Sequence, residues 1–259
     1  MPFVYYSSTQ QKKFSLCPRR YFYHYFTDER EEIGVPAIYS RAVLHPVMQA
    51  VHGENSGRLE EFLRERWEVY IQEVGFVGSA HAVCTLPLAE KVVMKYARLA
   101  QAWGREGWKC TGREREFVLV PPLTQHTSYK TRVDVVLERD GMLVPVEFKF
   151  TTSRYGFDSQ LWAYDPQIVG HAVCVPSADV WIVEVAASEP KKSLGAVVDV
   201  VVKPVGVGRV QREEWLWERI EEVTRRDSYE ESGKWQRVTG ACRAFGRPCP
   251  YIERCLGNG

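Results

Sequence analysis

The pattern of apolar and polar positions changes character near Trp108. Upstream of this residue the sequence predicts mainly helices, and the last two of them show the three- and four-residue spacing of an amphipathic face. Ser7 or Ser8 is expected to cap the first helix, and Pro18 to open the second. The predicted helices cover residues 9–17, 19–26, 36–52, 57–74 and 86–104.

Downstream of Trp108, short runs rich in β-branched residues predict strands. Between them, Asp165 and Pro166 form an N-cap and first-turn pair for a helix over 167–174. A further helix is expected over 213–226, followed by an irregular tail rich in Gly, Arg and Cys. Since no internal repeat or linker is evident, we expect one α/β domain with a helical elaboration. The predicted strands cover residues 109–120, 130–139, 142–150, 179–186 and 197–203.

The dipeptide Asp140-Gly141 predicts a tight turn that joins two of these strands as a hairpin. Counting outward from this two-residue loop places Asp134 directly opposite Glu147. Their Cβ atoms are then ~5 Å apart on one face of the hairpin. Lys149 lies two residues beyond Glu147, so strand alternation puts its side chain on that same face.

Two carboxylates in direct opposition repel each other unless a cation lies between them. An oxygen-rich pair such as Asp134 and Glu147 favours a hard ion, Mg²⁺ or Mn²⁺, which polarises phosphoryl oxygens and acidifies bound water. Lys149 is then placed to orient or deprotonate that water. The alternative is an exposed cross-strand network of the same three residues with Arg132, as hairpin surfaces often carry.

The overall charge gives no sign of a polyanionic partner. Lys and Arg number 34 and Asp and Glu number 33, which leaves a net charge of +1, so any nucleic-acid surface must be local. The chain has no apolar run long enough to span a bilayer, and its start lacks the basic-then-apolar layout of a signal peptide. We therefore expect a cytoplasmic protein without a membrane partner.

Cysteines are concentrated at the two ends of the chain. Cys242, Cys249 and Cys255 crowd the tail and Cys17 lies near the start, and four thiolates can hold zinc or an iron-sulfur cluster. The gaps of six and five residues in the tail are longer than those of structural zinc knuckles, which favours a cluster. Unrelated free thiols are the alternative. The other cysteines, expected to be ordinary buried thiols, are Cys84, Cys110 and Cys174.

Several of these motifs together resemble one family. Arg132-Val-Asp134, followed by Val146-Glu-Phe-Lys149, resembles the core of the PD-(D/E)XK nuclease superfamily. Cys17-Pro-Arg-Arg-Tyr and the three tail cysteines look like its iron-sulfur branch. That branch includes RecB-like and AddB-like nuclease domains, CRISPR-associated adaptation nucleases and many phage-encoded relatives. The resemblance extends from Cys17 to Cys255, nearly the whole chain.

The resemblance implies a restriction-endonuclease-like α/β core, in which helices flank a central mixed sheet. The prediction is a single nuclease domain over residues 1–259, which consists of three parts. Residues 1–105 form a mainly helical N-terminal elaboration that carries Cys17 and His45. Residues 106–210 form the catalytic sheet core, and residues 211–259 form a C-terminal helix and an iron-sulfur tail.

The resemblance also implies roles for individual residues. Asp134 and Glu147 are implied as metal ligands, with the Phe148 carbonyl as a further ligand, and Lys149 as the residue that positions or activates the attacking water. His45 matches the upstream metal-binding histidine of the family, and an imidazole ligand suits Mn²⁺ better than Mg²⁺. The alternative for His45 is a partly buried histidine at a helix junction, since the following proline disfavours α geometry there.

The family's glutamine motif, usually Gln-x3-Tyr on the helix after the lysine strand, has two candidates. Gln160 with Tyr164 fits the residue types, but Asp165-Pro166 should stop that helix almost at once. Gln167 with His171 follows a proper helix start and keeps the four-residue spacing, so we favour Gln167 as the catalytic glutamine. A plain amphipathic helix is the alternative.

The implied activity is that of a metal-dependent deoxyribonuclease, an exonuclease acting on single-stranded DNA or on double-stranded DNA with ends. Its implied cofactors are Mg²⁺ or Mn²⁺ and a [4Fe-4S] cluster held by Cys17, Cys242, Cys249 and Cys255. Implied protein partners act in recombination, repair or CRISPR adaptation. The rival hypotheses are a non-catalytic DNA-binding or scaffold module and a zinc-clamped protein. Candidate backbone and base contacts are Lys12, Lys13, Arg19, Arg20, Arg237, Arg243 and Arg247, with Tyr21, Tyr23 and Tyr25.

Overall fold

The computed structural model describes residues 4–27, 31, 33–75, 83–152, 159–175, 177, 179–188, 197–246 and 248–257. The chain divides into two compact units. The terminal unit comprises residues 1–32, 117–131 and 208–259, and the central unit comprises residues 33–116 and 132–207. The division into parts at residues 105 and 210 stays a prediction.

Ten α-helices and six β-strands are found in the described residues. Short helices of other types lie at Ser40–Leu44 (a π turn), Glu54–Arg58 and Thr239–Gly246. Across the described part of the chain, no helix combines the length and apolarity that crossing a membrane requires. In chain order the elements are β1 (Val4–Ser7), α1 (Ser8–Leu16), α2 (Pro18–Phe26), α3 (Val35–Tyr39), α4 (His45–Ala50), α5 (Leu59–Val74), α6 (Leu86–Arg105), β2 (Lys109–Val118), β3 (Thr127–Arg139), β4 (Met142–Thr151), α7 (Ser159–Trp162), α8 (Pro166–Cys174), β5 (Asp179–Ser188), β6 (Val197–Gly206), α9 (Arg209–Ser232) and α10 (Ile252–Cys255).

The sheet of the central unit is mixed. β3 and β4 form an antiparallel hairpin in which Arg139 pairs with Met142 and Val135 with Val146, which confirms the predicted hairpin and its register. β4 pairs in parallel with β5, and β5 pairs antiparallel with β6, while β2 pairs with β3. A parallel pair needs a crossover connection, and the chain between β4 and β5 supplies it with α7 and α8.

Helices pack on both faces of this sheet. On one face, α3, α4, α5 and α6 bury an apolar core against alternate residues of the strands, including Val135, Val146 and Phe148. On the other face, α8 packs against β4 and β5. Because side chains alternate along a strand, Glu147 and Lys149 of β4 lie on the face opposite Val146 and Phe148. This alternation presents the polar residues of β4 to α8.

The terminal unit contains one strand that the sequence pattern does not predict. β1 pairs in parallel with the first residues of β3, from Val4 with Thr127 to Ser7 with Lys130. Ser7 ends this strand and caps α1, because its side chain accepts from the Gln10 backbone and the Gln10 side chain accepts from the Ser7 backbone. An aromatic cluster lies in this unit, in which Tyr21, Phe22 and Tyr229 contact Trp235. Phe14 of α1 joins it through Tyr21 and Tyr229.

Candidate active site

The candidate site centres on the carboxylate of Glu147 in the central unit. Glu147 Oε1 accepts a hydrogen bond from Lys149 Nζ at 2.7 Å and another from Gln167 Nε2 at 2.6 Å. Glu147 Oε2 lies 2.9 Å from His171 Nε2. The Gln167 side chain also accepts from Lys149 Nζ through its amide oxygen at 2.8 Å. A neighbour on the same strand and two residues of α8 therefore fix the position of one carboxylate.

The start of α8 explains why Gln167 and His171 reach Glu147. The Asp165 side chain accepts from the Gln167 backbone N–H at 2.8 Å, and Pro166 occupies the first turn, as predicted. The four-residue spacing puts Gln167 and His171 on one face of the helix. His171 is fully buried there. The sequence analysis singled out His171 only as a substitute for tyrosine, and its contact with Glu147 is a finding of the structure.

Asp134 and His45 form a second pair beside this carboxylate. Asp134 Oδ2 accepts from the backbone N–H of Phe148 at 2.7 Å, and Asp134 Oδ1 lies 3.4 Å from His45 Nδ1. The His45 ring contacts the Phe148 ring edge-to-face, with the centroids 5.6 Å apart. The two predicted carboxylates are buried, with 8% of Asp134 and 4% of Glu147 exposed, so they do not form an exposed surface network.

The backbone around His45 differs from the prediction. We expected Pro46 to disfavour α geometry at His45, yet His45 has φ −58° and ψ −52°, within the α region. The helical hydrogen bonding changes upstream of His45 instead. Ser40–Leu44 forms a π turn, and the His45 N–H donates to the Ser40 carbonyl. π turns inside helices recur at functional sites. This one carries the chain from α3 into α4, with His45 at the junction.

Burial and neighbouring charges together set the direction of the pKa shifts of Asp134, Glu147, His45 and Lys149. Burial raises the pKa of Asp134 and the charge of Glu147 adds to this effect, while His45 opposes it. Burial also works against ionisation of Glu147, but Lys149 and His171 outweigh it and lower the Glu147 pKa. Burial disfavours the cationic forms of His45 and Lys149, and the neighbouring carboxylates overcome it and raise both pKa values. Lys149 is therefore held as an ammonium.

Part of this site opens onto a cleft of about 630 Å³. Glu147, Phe148 and Lys149 line it from β4, and His45 lines it from α4. The sequence analysis missed other residues of its wall. Gln49, on the same face of α4 as His45, donates to the carboxylate of Glu114 in β2, and Glu114 has φ +49°, a conformation that residues other than glycine seldom adopt. The remaining lining residues are Pro36, Ala37, Ser40, Arg41, Pro46, Phe150, Thr151 and Thr152.

The donor set fits a hard divalent cation by its chemistry. His45, Asp134 and Glu147 supply an imidazole and two carboxylates, and burial beside Glu147 raises the pKa of Asp134, a cost that a cation removes. Among the residues that the structure describes, no three His, Cys, Asp or Glu side chains are arranged as a metal site. Glu147 instead contacts Lys149 and His171, so a bound ion must replace or share those contacts.

The four predicted cluster cysteines converge in the terminal unit. Cys17, Cys242, Cys249 and Cys255 line one small cavity of about 20 Å³. The Cys249 N–H donates to the Cys242 carbonyl at 2.8 Å. Burial raises the pKa of the Cys249 thiol. The four cysteines thus share one cavity, but within the described residues no three of them are arranged to hold a metal ion.

The predicted nucleic-acid contacts near the chain start have protein partners. Lys13 and Arg20 both pair with Glu31 at 2.8 Å, and Arg19 donates to the Trp235 carbonyl at 3.0 Å. Tyr21 is buried in the aromatic cluster, which favours the packing role for this tyrosine. The side chains of Gln160, Arg243 and Arg247 lie outside the described residues.

Comparison with known proteins decides the family. A model of the PD-(D/E)XK nuclease superfamily matches residues 5–256. The chain belongs to the PD-(D/E)XK nuclease superfamily. Its α/β fold with a mixed central sheet flanked by helices agrees with the core of this superfamily, as predicted. No curated protein matches the chain.

Two solved structures resemble this PD-(D/E)XK protein. The first is a "Putative exonuclease" from Eubacterium rectale, with 14% sequence identity over 98% of this chain and 93% of that chain and a TM-score of 0.53. At this identity the likeness concerns the fold. The second is SSO0001, with 10% identity over 96% of this chain and 95% of that chain and a TM-score of 0.35, from which nothing follows.

Proposed function

We propose that this PD-(D/E)XK protein is a metal-dependent DNA nuclease that hydrolyses phosphodiester bonds. The observation that carries the proposal is the convergence of Asp134, Glu147, Lys149 and Gln167, with His45 beside them, at one cleft of the central unit. Buried carboxylates with a buried lysine in a cleft are the groups that catalytic sites concentrate.

His45, Asp134 and Glu147 are the side chains proposed to hold Mg²⁺ or Mn²⁺, with the Phe148 carbonyl as a further ligand. When bound, such an ion polarises a phosphoryl oxygen and lowers the pKa of water. The imidazole of His45 favours Mn²⁺ over Mg²⁺. His171 contributes by holding one oxygen of Glu147, which fixes the rotamer of the proposed ligand.

Lys149 is proposed to orient the attacking water and the phosphate rather than to remove a proton. Its ammonium donates to Glu147 and Gln167, and the charge of Glu147 outweighs burial in raising its pKa. An ammonium is a donor and stabilises negative charge that develops on the phosphoryl oxygens. In the reaction the water oxygen bonds to phosphorus and gives up one proton to solvent. The P–O bond to the leaving group breaks with its electron pair on the leaving oxygen, which takes a proton from solvent.

The finer assignment to the iron-sulfur branch rests on the four cysteines. We propose that Cys17, Cys242, Cys249 and Cys255 hold a structural [4Fe-4S] cluster that ties the tail to the first helices. Their common cavity and the contact between Arg19 Nη1 and Cys255 Sγ at 3.9 Å support a shared site for thiolates. A single zinc ion is the alternative, and metal analysis of anaerobically purified protein distinguishes the two.

The test is cleavage of end-labelled linear and closed circular DNA, single- and double-stranded, with Mg²⁺ or Mn²⁺. Lys149→Ala and Glu147→Ala are compared with Lys91→Ala, which removes an exposed lysine on α6. We expect wild type and Lys91→Ala to cleave and the two site variants to be inactive. Linear substrates alone should be cut, since we propose an exonuclease.

If wild type and variants are equally inert while all of them bind DNA, the proposal fails and the non-catalytic binding module takes its place. Cleavage of circular substrates at the same rate as linear ones rejects the exonuclease and keeps the nuclease. The same cleavage assay shows whether the protein prefers single-stranded or double-stranded DNA. A role with recombination, repair or CRISPR-adaptation proteins is part of the proposal that only partner experiments address.

A further inference from the structure

The π turn before His45 also delivers a cationic side chain to the cleft. Ser40 and Arg41 lie in the turn and line the same cleft as His45 and Lys149. Arg41 precedes His45 by four residues, within the helical segment that runs from the π turn into α4.

Arg41 has a more exposed charge partner than the other cationic residues described in the wall of the cleft. Lys149 donates to the buried Glu147 and to Gln167, and His45 lies against the buried Asp134. The Arg41 side chain is 60% exposed, and its partner is Glu73 of α5 at 2.9 Å, which is 39% exposed. A solvent-exposed ion pair contributes little free energy, so replacing the Glu73 carboxylate by another anion at Arg41 costs little.

The carboxylates at the cleft would repel a polyanionic substrate, so binding such a substrate requires a cationic side chain there. Glu147 and Glu114 line the cleft, and Asp134 lies behind it. A polyanion entering this region meets carboxylates of its own sign. A planar guanidinium offers paired donors that match a phosphate, and Ser40 and Thr152 add hydroxyl groups to the same wall.

We propose that Arg41 is the centre of a phosphate subsite that holds the nucleic-acid strand next to the bond to be cut. This rests on the proposed function, because it names a contact of the same substrate in the same cleft. In the free protein the Glu73 carboxylate pairs with the Arg41 guanidinium, and the substrate phosphate displaces that carboxylate. Arg41 is thus a substrate-binding residue, and Glu73 competes with the substrate for it.

The experiment measures binding of a fluorescein-labelled single-stranded oligonucleotide by anisotropy, in EDTA so that no cleavage occurs, over a series of salt concentrations. The variants are Arg41→Ala, Arg41→Lys and Glu73→Ala. The matched control is Arg64→Ala, which removes a similarly exposed arginine that pairs with Glu60 on α5 and lies outside the cleft lining. Unfolding midpoints of all variants are recorded in parallel.

We expect Arg41→Ala to weaken binding roughly tenfold, as for loss of one charge-assisted contact, and to reduce the magnitude of the log–log salt slope by ~0.7. Arg41→Lys should retain the salt slope with intermediate affinity. Glu73→Ala should bind more tightly than wild type, and the Arg41→Ala/Glu73→Ala pair should bind like Arg41→Ala. Arg64→Ala should match wild type.

Unchanged affinity and salt slope in Arg41→Ala, with wild type binding DNA, overturns the subsite and leaves the nuclease proposal standing. A loss of affinity that Arg64→Ala shares also overturns it, because the effect is then one of general surface charge. If wild type does not bind DNA in EDTA, the subsite is rejected, while the nuclease proposal stands or falls with the metal-dependent cleavage assay.

Discussion

The side-chain amide of Gln167 lies 2.6 Å from the carboxylate of Glu147, so a residue at the start of a helix fixes a residue in the middle of a strand. The same amide accepts from Lys149 at 2.8 Å, which closes a triangle of hydrogen bonds. The triangle holds the carboxylate and the ammonium in one geometry relative to the cleft. We infer that Gln167 is a positioning residue, since it acts through Glu147 and Lys149.

Replacing Gln167 by Ala should lower kcat roughly 10- to 100-fold, because neither Glu147 nor Lys149 is then restrained. The rate of DNA cleavage at saturating Mn²⁺ measures this effect. KM for DNA should change little, since the amide is not proposed to contact substrate. Gln160→Ala tests the rival glutamine in the same assay. A large loss in Gln160→Ala with normal Gln167→Ala activity assigns the motif to Gln160 instead.

His171 supports a proposed metal ligand from a fully buried position. His171→Phe should raise the Mn²⁺ concentration needed for half-maximal cleavage roughly 10- to 100-fold, because Glu147 loses the partner of its second oxygen. His171→Asn, which keeps a donor, should be milder. The control is His126→Ala, at an exposed position of the terminal unit. An unchanged Mn²⁺ requirement in His171→Phe, with the fold intact, contradicts this role.

The hairpin and α8 could be predicted because short-range signals specify both. Asp140 and Gly141 adopt φ +53° and +78°, as a two-residue hairpin turn requires, and this turn sets the register that brings Asp134 and Glu147 together. Asp165 caps α8 through the Gln167 N–H, as its position before Pro166 predicts. Within the described residues, the predicted site residues on these two elements meet.

Long-range pairings explain what the sequence could not predict. β1 has four residues and pairs in parallel with a strand more than a hundred positions away, and no local signal specifies that partner. The contact of Gln49 with Glu114 likewise joins separate elements. The π turn has no distinctive composition, and only Pro46 hints that the helical hydrogen bonding must shift nearby.

His52 should make the stability of the central unit depend on pH. Burial, with help from the charge of Arg113, lowers the pKa of His52 to about 4, whereas the ordinary value is 6.5. Between these values the unfolded chain binds the proton and the folded chain does not, so stability falls as the pH drops from 6.5 towards 4 and the loss is complete below 4. The difference corresponds to about 3 kcal/mol.

The measurement for His52 is the free energy of unfolding in denaturant at a series of pH values, for wild type and His52→Gln. The wild-type curve should fall more steeply with decreasing pH in this window than the curve of the variant. A glutamine retains a polar group for the Tyr96 hydroxyl, which lies 2.7 Å from His52 Nε2. Parallel curves for the two proteins reject the assignment of the slope to His52.

The cysteine site should bind metal only as a complete set. Cys17→Ser and Cys249→Ser should each lose most of the bound iron and the visible absorption of the cluster, and the tail should become more sensitive to protease. Cys110→Ser is the matched control, because Cys110 lies in the central unit, where its thiol donates to the Gly112 carbonyl at 3.5 Å. Equal iron content in all three variants, or zinc in place of iron in wild type, contradicts the cluster.

The most direct test of the account is the rate of DNA cleavage as a function of Mn²⁺ concentration for wild type and Glu147→Gln, with Lys91→Ala as control. We predict a saturable metal dependence for wild type and Lys91→Ala, and for Glu147→Gln a loss of at least ~100-fold in rate at every concentration. Cleavage by wild type in EDTA, or equal rates for wild type and Glu147→Gln, would contradict a metal-dependent nuclease centred on Glu147.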